Sequence, residues 1–162
     1  MDQKEYLPLL AIEDILPILS KISILGGLSK KQLHSVFQLL KKASYKANEY
    51  IFQQAGEPSY IYIIRSGSVK IVAEMDGTYL ELIVFGVGDC FGETSIIGIE
   101  SHSASAIAME DTELIILSRE ALFSIFEQDK DLFAILILNI AREACRRLHK
   151  SDETLLHYFS KK

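Results

Sequence analysis

A chain of 162 residues, 49% of them hydrophobic and 24% charged, with no long low-complexity run, has the bulk for one compact domain with a substantial core. Its net charge of -5 argues against a strongly electrostatic nucleic-acid binder, because Lys and Arg set against phosphates supply most non-specific affinity. Cys90 and Cys145 lie far apart without CxxC spacing, Met1-Asp2-Gln3-Lys4-Glu5 carries no signal-peptide pattern, and the most apolar run, Leu132 to Ala141, is broken by Asn139 and falls short of the roughly 20 residues that span a bilayer. A cytoplasmic location without a membrane segment is expected.

In chain order, apolar residues recur at three- and four-residue steps from Glu13 to about Ser44: Ile15, Leu16, Ile18, Leu19 and Ile22, then Leu33, Val36, Phe37 and Leu40 after Gly26-Gly27-Leu28. That spacing predicts two amphipathic helices within residues 1–44. Ser29 is the expected N-cap of the second, with Gln32 as the third position of a capping box.

Residues 45–117 change to short β-rich runs separated by glycine turns: Tyr60 to Ile64, Val69 to Ala73, Tyr79 to Phe85, Ala104 to Met109 and Glu113 to Leu117. Asp76-Gly77 between two of them is a two-residue hairpin signal, since a type I′ turn needs positive φ. Strands of this length and spacing predict a sandwich or jelly-roll barrel. Residues 118–160 return to helix. With Leu148 at heptad position a, Ala134, Ala141 and Leu155 share that position, while Ile137, Ala144, Ser151 and Tyr158 fall at d. Leu136 and Ile140 widen the stripe towards a second surface. A helix apolar on two sides needs two partners, predicted to be its own barrel and the same helix of a second copy.

Phe91-Gly92-Glu93-Thr94-Ser95-Ile96-Ile97, followed by His102-Ser103-Ala104-Ser105, resembles the phosphate-binding cassette of the cyclic-nucleotide-binding domain family, here residues 91–105. The resemblance extends over most of the chain, through Ile24-Leu25-Gly26-Gly27-Leu28-Ser29, Ile51-Phe52 with Gly56-Glu57-Pro58, Tyr60 to Ile64 with Ser66-Gly67, and Gly88-Asp89-Cys90. The tail from Ile135 through Arg146-Arg147-Leu148 is similar to the dimerising helix of the catabolite-activator branch. It implies a jelly-roll β-barrel with N-terminal helices and a long C-terminal helix, a homodimer through that helix, and cyclic AMP or cyclic GMP as the ligand. In that branch a DNA-binding winged helix follows; here the chain ends at Lys161-Lys162, so no DNA reader is expected and a partner protein would be the output.

The resemblance also implies site roles. Gly92 lets backbone approach the phosphate, Glu93 accepts from a ribose hydroxyl, Thr94 and Ser95 lie beside the phosphate, and Ser103 and Ser105 offer hydroxyls. Ser151 and Asp152 stand where hydroxyl residues cap the base, Asp152 departing from the pattern. The family's arginine, which pairs with the phosphate, falls on His102, and between Glu93 and Arg119 there is no Lys or Arg. Neutral imidazole offers a single donor and gains charge only towards its reference pKa of about 6.5. Weak or altered nucleotide binding is one expectation; a different ligand, or a ligand-independent dimerisation scaffold with a degenerate pocket, is the alternative. As a lone histidine in a loop, His102 is expected at the surface. His149, Glu153 and His157 share one helical face, but at the outward heptad positions b, f and c, where solvent is expected rather than metal. Cys90, beside Asp89, has no sequence-adjacent base and Cys145 sits within the long helix, so neither is expected to act as a nucleophile and no enzyme is expected.

Overall fold

The computed structural model describes residues 6–9 and 12–160; the opening Met1 to Glu5 and the closing Lys161-Lys162 lie outside them. The elements are β1 (Leu7–Pro8), three short 3-10 turns, α1 (Lys30–Phe37), β2 (Lys41–Tyr45), β3 (Tyr50–Phe52), β4 (Tyr60–Ser66), β5 (Val69–Met75), β6 (Thr78–Phe85), β7 (Cys90–Phe91), α2 (Glu93–Gly98), β8 (Ser105–Ala108), β9 (Thr112–Ser118), α3 (Arg119–Gln128) and α4 (Lys130–Ser160).

Two antiparallel sheets form the jelly roll, in the orders β1-β2-β9-β4-β7 and β3-β8-β5-β6, and they remain two separate hydrogen-bonded sheets rather than one closed barrel. Strand alternation explains their placement. In β4, Tyr62 and Ile64 join Leu114 and Ile116 of β9 against Val69, Phe85 and Ala106 of the second sheet. The intervening Ile61, Ile63, Ile115 and Leu117 turn the other way, onto the helices, where Ile22, Val36, Phe37, Leu122, Leu132 and Leu136 meet them. Central strands buried on both faces read as continuous apolar runs for this reason.

Each predicted strand is present within one or two residues, and Asp76 (φ 53°) and Gly77 (φ 74°) make the β5–β6 turn in left-handed backbone. The N-terminal expectation is corrected in part. The first predicted helix is broken into 3-10 turns at Leu16–Lys21 and Ser23–Leu25, with Pro17 in the first of them, and β2 begins at Lys41, inside the stretch read as helical. Lys41 to Tyr45 pairs along β9, so sheet hydrogen bonds override the helical spacing. The second helix has both halves of its capping box: the Gln32 N–H donates to Ser29 Oγ and the Ser29 N–H donates to Gln32 Oε1.

The polar break at Asn139 joins α4 to the turn preceding α1. Its side chain is 8% exposed and its Nδ2 donates to the carbonyls of Ile24 (3.1 Å) and Gly26 (2.8 Å). Asn139→Leu keeps the branched side-chain shape but strips both carbonyls of their donor, at a cost of about 1–3 kcal/mol. The thermal midpoint should fall by about 2–4 °C per kcal/mol; an unchanged midpoint by calorimetry would show that this contact does not fasten the helix.

Candidate functional site

β7 hands the chain to the cassette through Gly92, the residue before α2. Its φ is +83°, and a Cβ there would stand 2.8 Å from the Tyr60 carbonyl oxygen and 3.2 Å from the Tyr62 ring, so only glycine passes this close to β4. Glu93 then opens α2 and is fully buried. One carboxylate oxygen accepts from Arg147 of α4; Oε2 has no hydrogen-bond partner among the described residues.

Arg147 is held on every side. It donates to the Cys90 carbonyl as well as to Glu93, stands over the Phe85 ring at 4.5 Å, and approaches Glu143 at 3.5 Å. The pair therefore fastens α4 to the cassette and to the end of β6. Burial raises the Glu93 pKa above the ordinary carboxylate value, and the Arg147 charge pulls against that rise. Burial, with Glu93 nearby, pushes the Cys90 thiol up to about 12, which leaves it protonated and unreactive.

His102 is not an exposed loop residue. It is 5% exposed, and its ring lies parallel to Phe52 with centroids 3.7 Å apart and planes 9° apart. Its backbone is fixed to the preceding turn: its N–H donates to the Gly56 carbonyl (2.9 Å) and its carbonyl accepts from the Ala55 N–H (2.8 Å). That two-bond clasp swings the imidazole inward, which a reading of the loop by itself does not reveal. Burial lowers the His102 pKa, favouring the neutral ring.

A cavity of about 180 Å³ lies between these groups, walled by Phe52, Ile71, Ile83, Phe85, Phe91 and Ala104, with Gly92, Thr94, Ser95, His102, Ser103 and Arg147 completing the lining. Of the residues singled out in the sequence, the cavity thus gathers Gly92, Thr94, Ser95, His102 and Ser103, with Glu93 reaching it through Arg147. Ser105 lines a different cavity beside Gln54 and Tyr79, and its hydroxyl accepts from the Gln54 N–H at 2.9 Å. Ser151 and Asp152 are exposed on α4, about one turn beyond Arg147, and do not line this chain's cavity. His149, Glu153 and His157 are exposed, and no cluster of three or more metal-ligating side chains occurs among the described residues.

Arg147, Phe52 and Phe85 are the site residues that sequence reasoning missed. Arg147 lies 54 residues from Glu93, outside the cassette stretch in which the sequence shows no cation, although the buried position of Glu93 requires a counter-charge from some element.

The two-sheet roll carries a helix-capped cassette between β7 and β8. The family model described as cyclic nucleotide-binding domain matches residues 42–129, and the chain belongs to that family. Among its relatives is the cyclic AMP receptor protein of Thermus thermophilus, 29% identical over 127 residues, an alignment covering 78% of this chain and 57% of that protein. Among solved structures, a cyclic nucleotide-binding domain from Methylobacillus flagellatus superposes with a TM-score of 0.81 at 22% identity, covering 90% of this chain and 83% of that one. The regulatory subunit of a cAMP-independent protein kinase A from Trypanosoma brucei, in a triple variant bound to cAMP, gives 0.72 at 23% identity, covering 89% and 51%. The chain spans little more than half the length of the Thermus protein.

Removing Arg147 alone leaves a buried carboxylate unpaired. Arg147→Met should cost about 3 kcal/mol, the low end for a broken buried pair because Arg147 is itself partly exposed, and the double variant Glu93→Gln/Arg147→Met should recover part of that loss. Urea unfolding measures both; additive losses in the double variant would mean that the two groups are not coupled.

Proposed function

We propose that this cyclic-nucleotide-binding domain is a cytoplasmic, non-enzymatic sensor in which cyclic AMP or cyclic GMP binds weakly or in an altered manner. One observation carries the reading: the cassette position of the family's arginine holds His102, buried, shifted towards its neutral form and stacked on Phe52, while Arg147, the one permanently charged residue lining the cavity among the described residues, is already paired with Glu93. Among the described residues, no unpaired cation lines that cavity to meet an incoming phosphate. Among the described residues no helix is long and apolar enough to cross a membrane.

Calorimetry of both cyclic nucleotides at pH 7.5 and pH 5.5 tests the reading. Because the His102 pKa is lowered, its charge appears only below the usual value of about 6.5, so affinity should rise on acidification. His102→Arg should strengthen binding by about two to four decades, the worth of a restored buried pair. Tight binding by the unaltered chain at pH 7.5 would overturn the proposal.

A second reading, a ligand-independent dimerisation scaffold, is favoured by the completeness of the Arg147 clasp, which holds α4 to the roll with the chain's own groups. Silence from both nucleotides at both pH values, before and after His102→Arg, would select it.

Both readings place the homodimer seam on α4. Ala134, Ala141, Leu148 and Leu155, the four a positions, are all exposed, and every residue from Leu148 to Ser160 is exposed, including Leu156, Tyr158 and Phe159. An isolated helix of this length is marginal in water, so it calls for a covering surface. A second copy of α4 is the proposed partner, with an output protein reading the far apolar end; the chain's net charge of -5 gives no ground for assigning a DNA contact. Leu148→Glu/Leu155→Glu should convert a dimer into a monomer by sedimentation at micromolar concentration, whereas an unaltered chain that is already monomeric would refute the seam.

A further inference from the structure

The charge balance of the cavity specifies its ligand further, on the basis of the sensor reading above. We infer that the pocket takes an uncharged nucleoside in preference to a phosphate ester. Glu93 and Arg147 sum to zero and are locked to each other, with the second guanidinium nitrogen spent on the Cys90 carbonyl. His102 adds no charge, since its buried ring is held in the neutral form. A phosphate would therefore bring an uncompensated negative charge into a space walled by Phe52, Phe85 and Phe91, where apolar surroundings make an unpaired charge costly.

The remaining lining suits what a cyclic nucleotide keeps once its phosphate is gone. The aromatic faces accept a flat heterocycle, and the hydroxyls of Thr94, Ser95 and Ser103 suit neutral donors and acceptors. Size points the same way. At about 180 Å³ the cavity is smaller than the roughly 300–1,000 Å³ of most ligand pockets, and the His102 ring takes up room at the cassette end.

Calorimetric titration of adenosine, guanosine, cyclic AMP and cyclic GMP into the intact chain at pH 7.5 tests this directly. At least one nucleoside should bind about ten-fold or more tightly than its own cyclic monophosphate. His102→Arg should reverse that order by strengthening the cyclic nucleotide, and His102→Gln, a neutral replacement, should preserve it. A cyclic nucleotide that matches or exceeds its nucleoside in the unaltered chain overturns the inference while leaving the sensor reading in place. Absence of binding by all four compounds overturns both.

Discussion

A carboxylate with no solvent exposure has to be neutralised, and in this chain the neutralising group comes from another element 54 residues away in sequence. That constraint ties three parts of the fold together at once. Glu93 starts the cassette helix, the Cys90 carbonyl belongs to the two-residue strand before it, and Arg147 projects from the long helix, so the helix, the cassette and the Phe85 end of β6 are positioned by one guanidinium. Burying the pair costs desolvation on both partners, which offsets much of their mutual attraction. What the pair fixes is the angle of α4 against the roll.

The roll itself provides the rigid backing. β4 and β9 are buried on both faces, with one face packed on the second sheet and the other on the helices, so the β4 backbone that Gly92 passes at close range stands between two cores. A displacement of the cassette is consequently transmitted to dense packing on either side, because interiors of this density do not deform continuously. The left-handed backbone of Ile99, at the far end of α2, adds local strain to the same segment: φ is 55° in a β-branched residue, where such values are outliers.

Much of this was legible before any coordinates. The glycine punctuation, the Asp76-Gly77 turn and the alternating runs located the strands, because turn chemistry and side-chain alternation are local properties. The capping box at Ser29 and the cassette at Phe91 to Ser105 were readable for the same reason. What escaped was non-local. Lys41 to Ser44 closes a stretch read as helical but finds a strand partner in β9, whose identity cannot be seen from the segment itself. The inward turn of His102 depends on hydrogen bonds to Gly56 and Ala55 across nearly fifty residues, and the role of Arg147 depends on a helix returning over the cassette. Ser105 matched the motif by position, yet its hydroxyl is engaged by Gln54 on another face of the second sheet.

The long helix is buried near its start by Leu132, Leu136, Asn139 and Ile140, clasped at Arg147, and unsupported beyond. Mechanically this is a fulcrum with an overhanging arm. From Arg147 to Ser160 the arm is about 20 Å long, so a tilt of about 10° at the clasp sweeps its tip through about 3 Å. A rearrangement too slight to disturb the roll would be magnified into a movement of nearly a side-chain's width where Tyr158 and Phe159 stand.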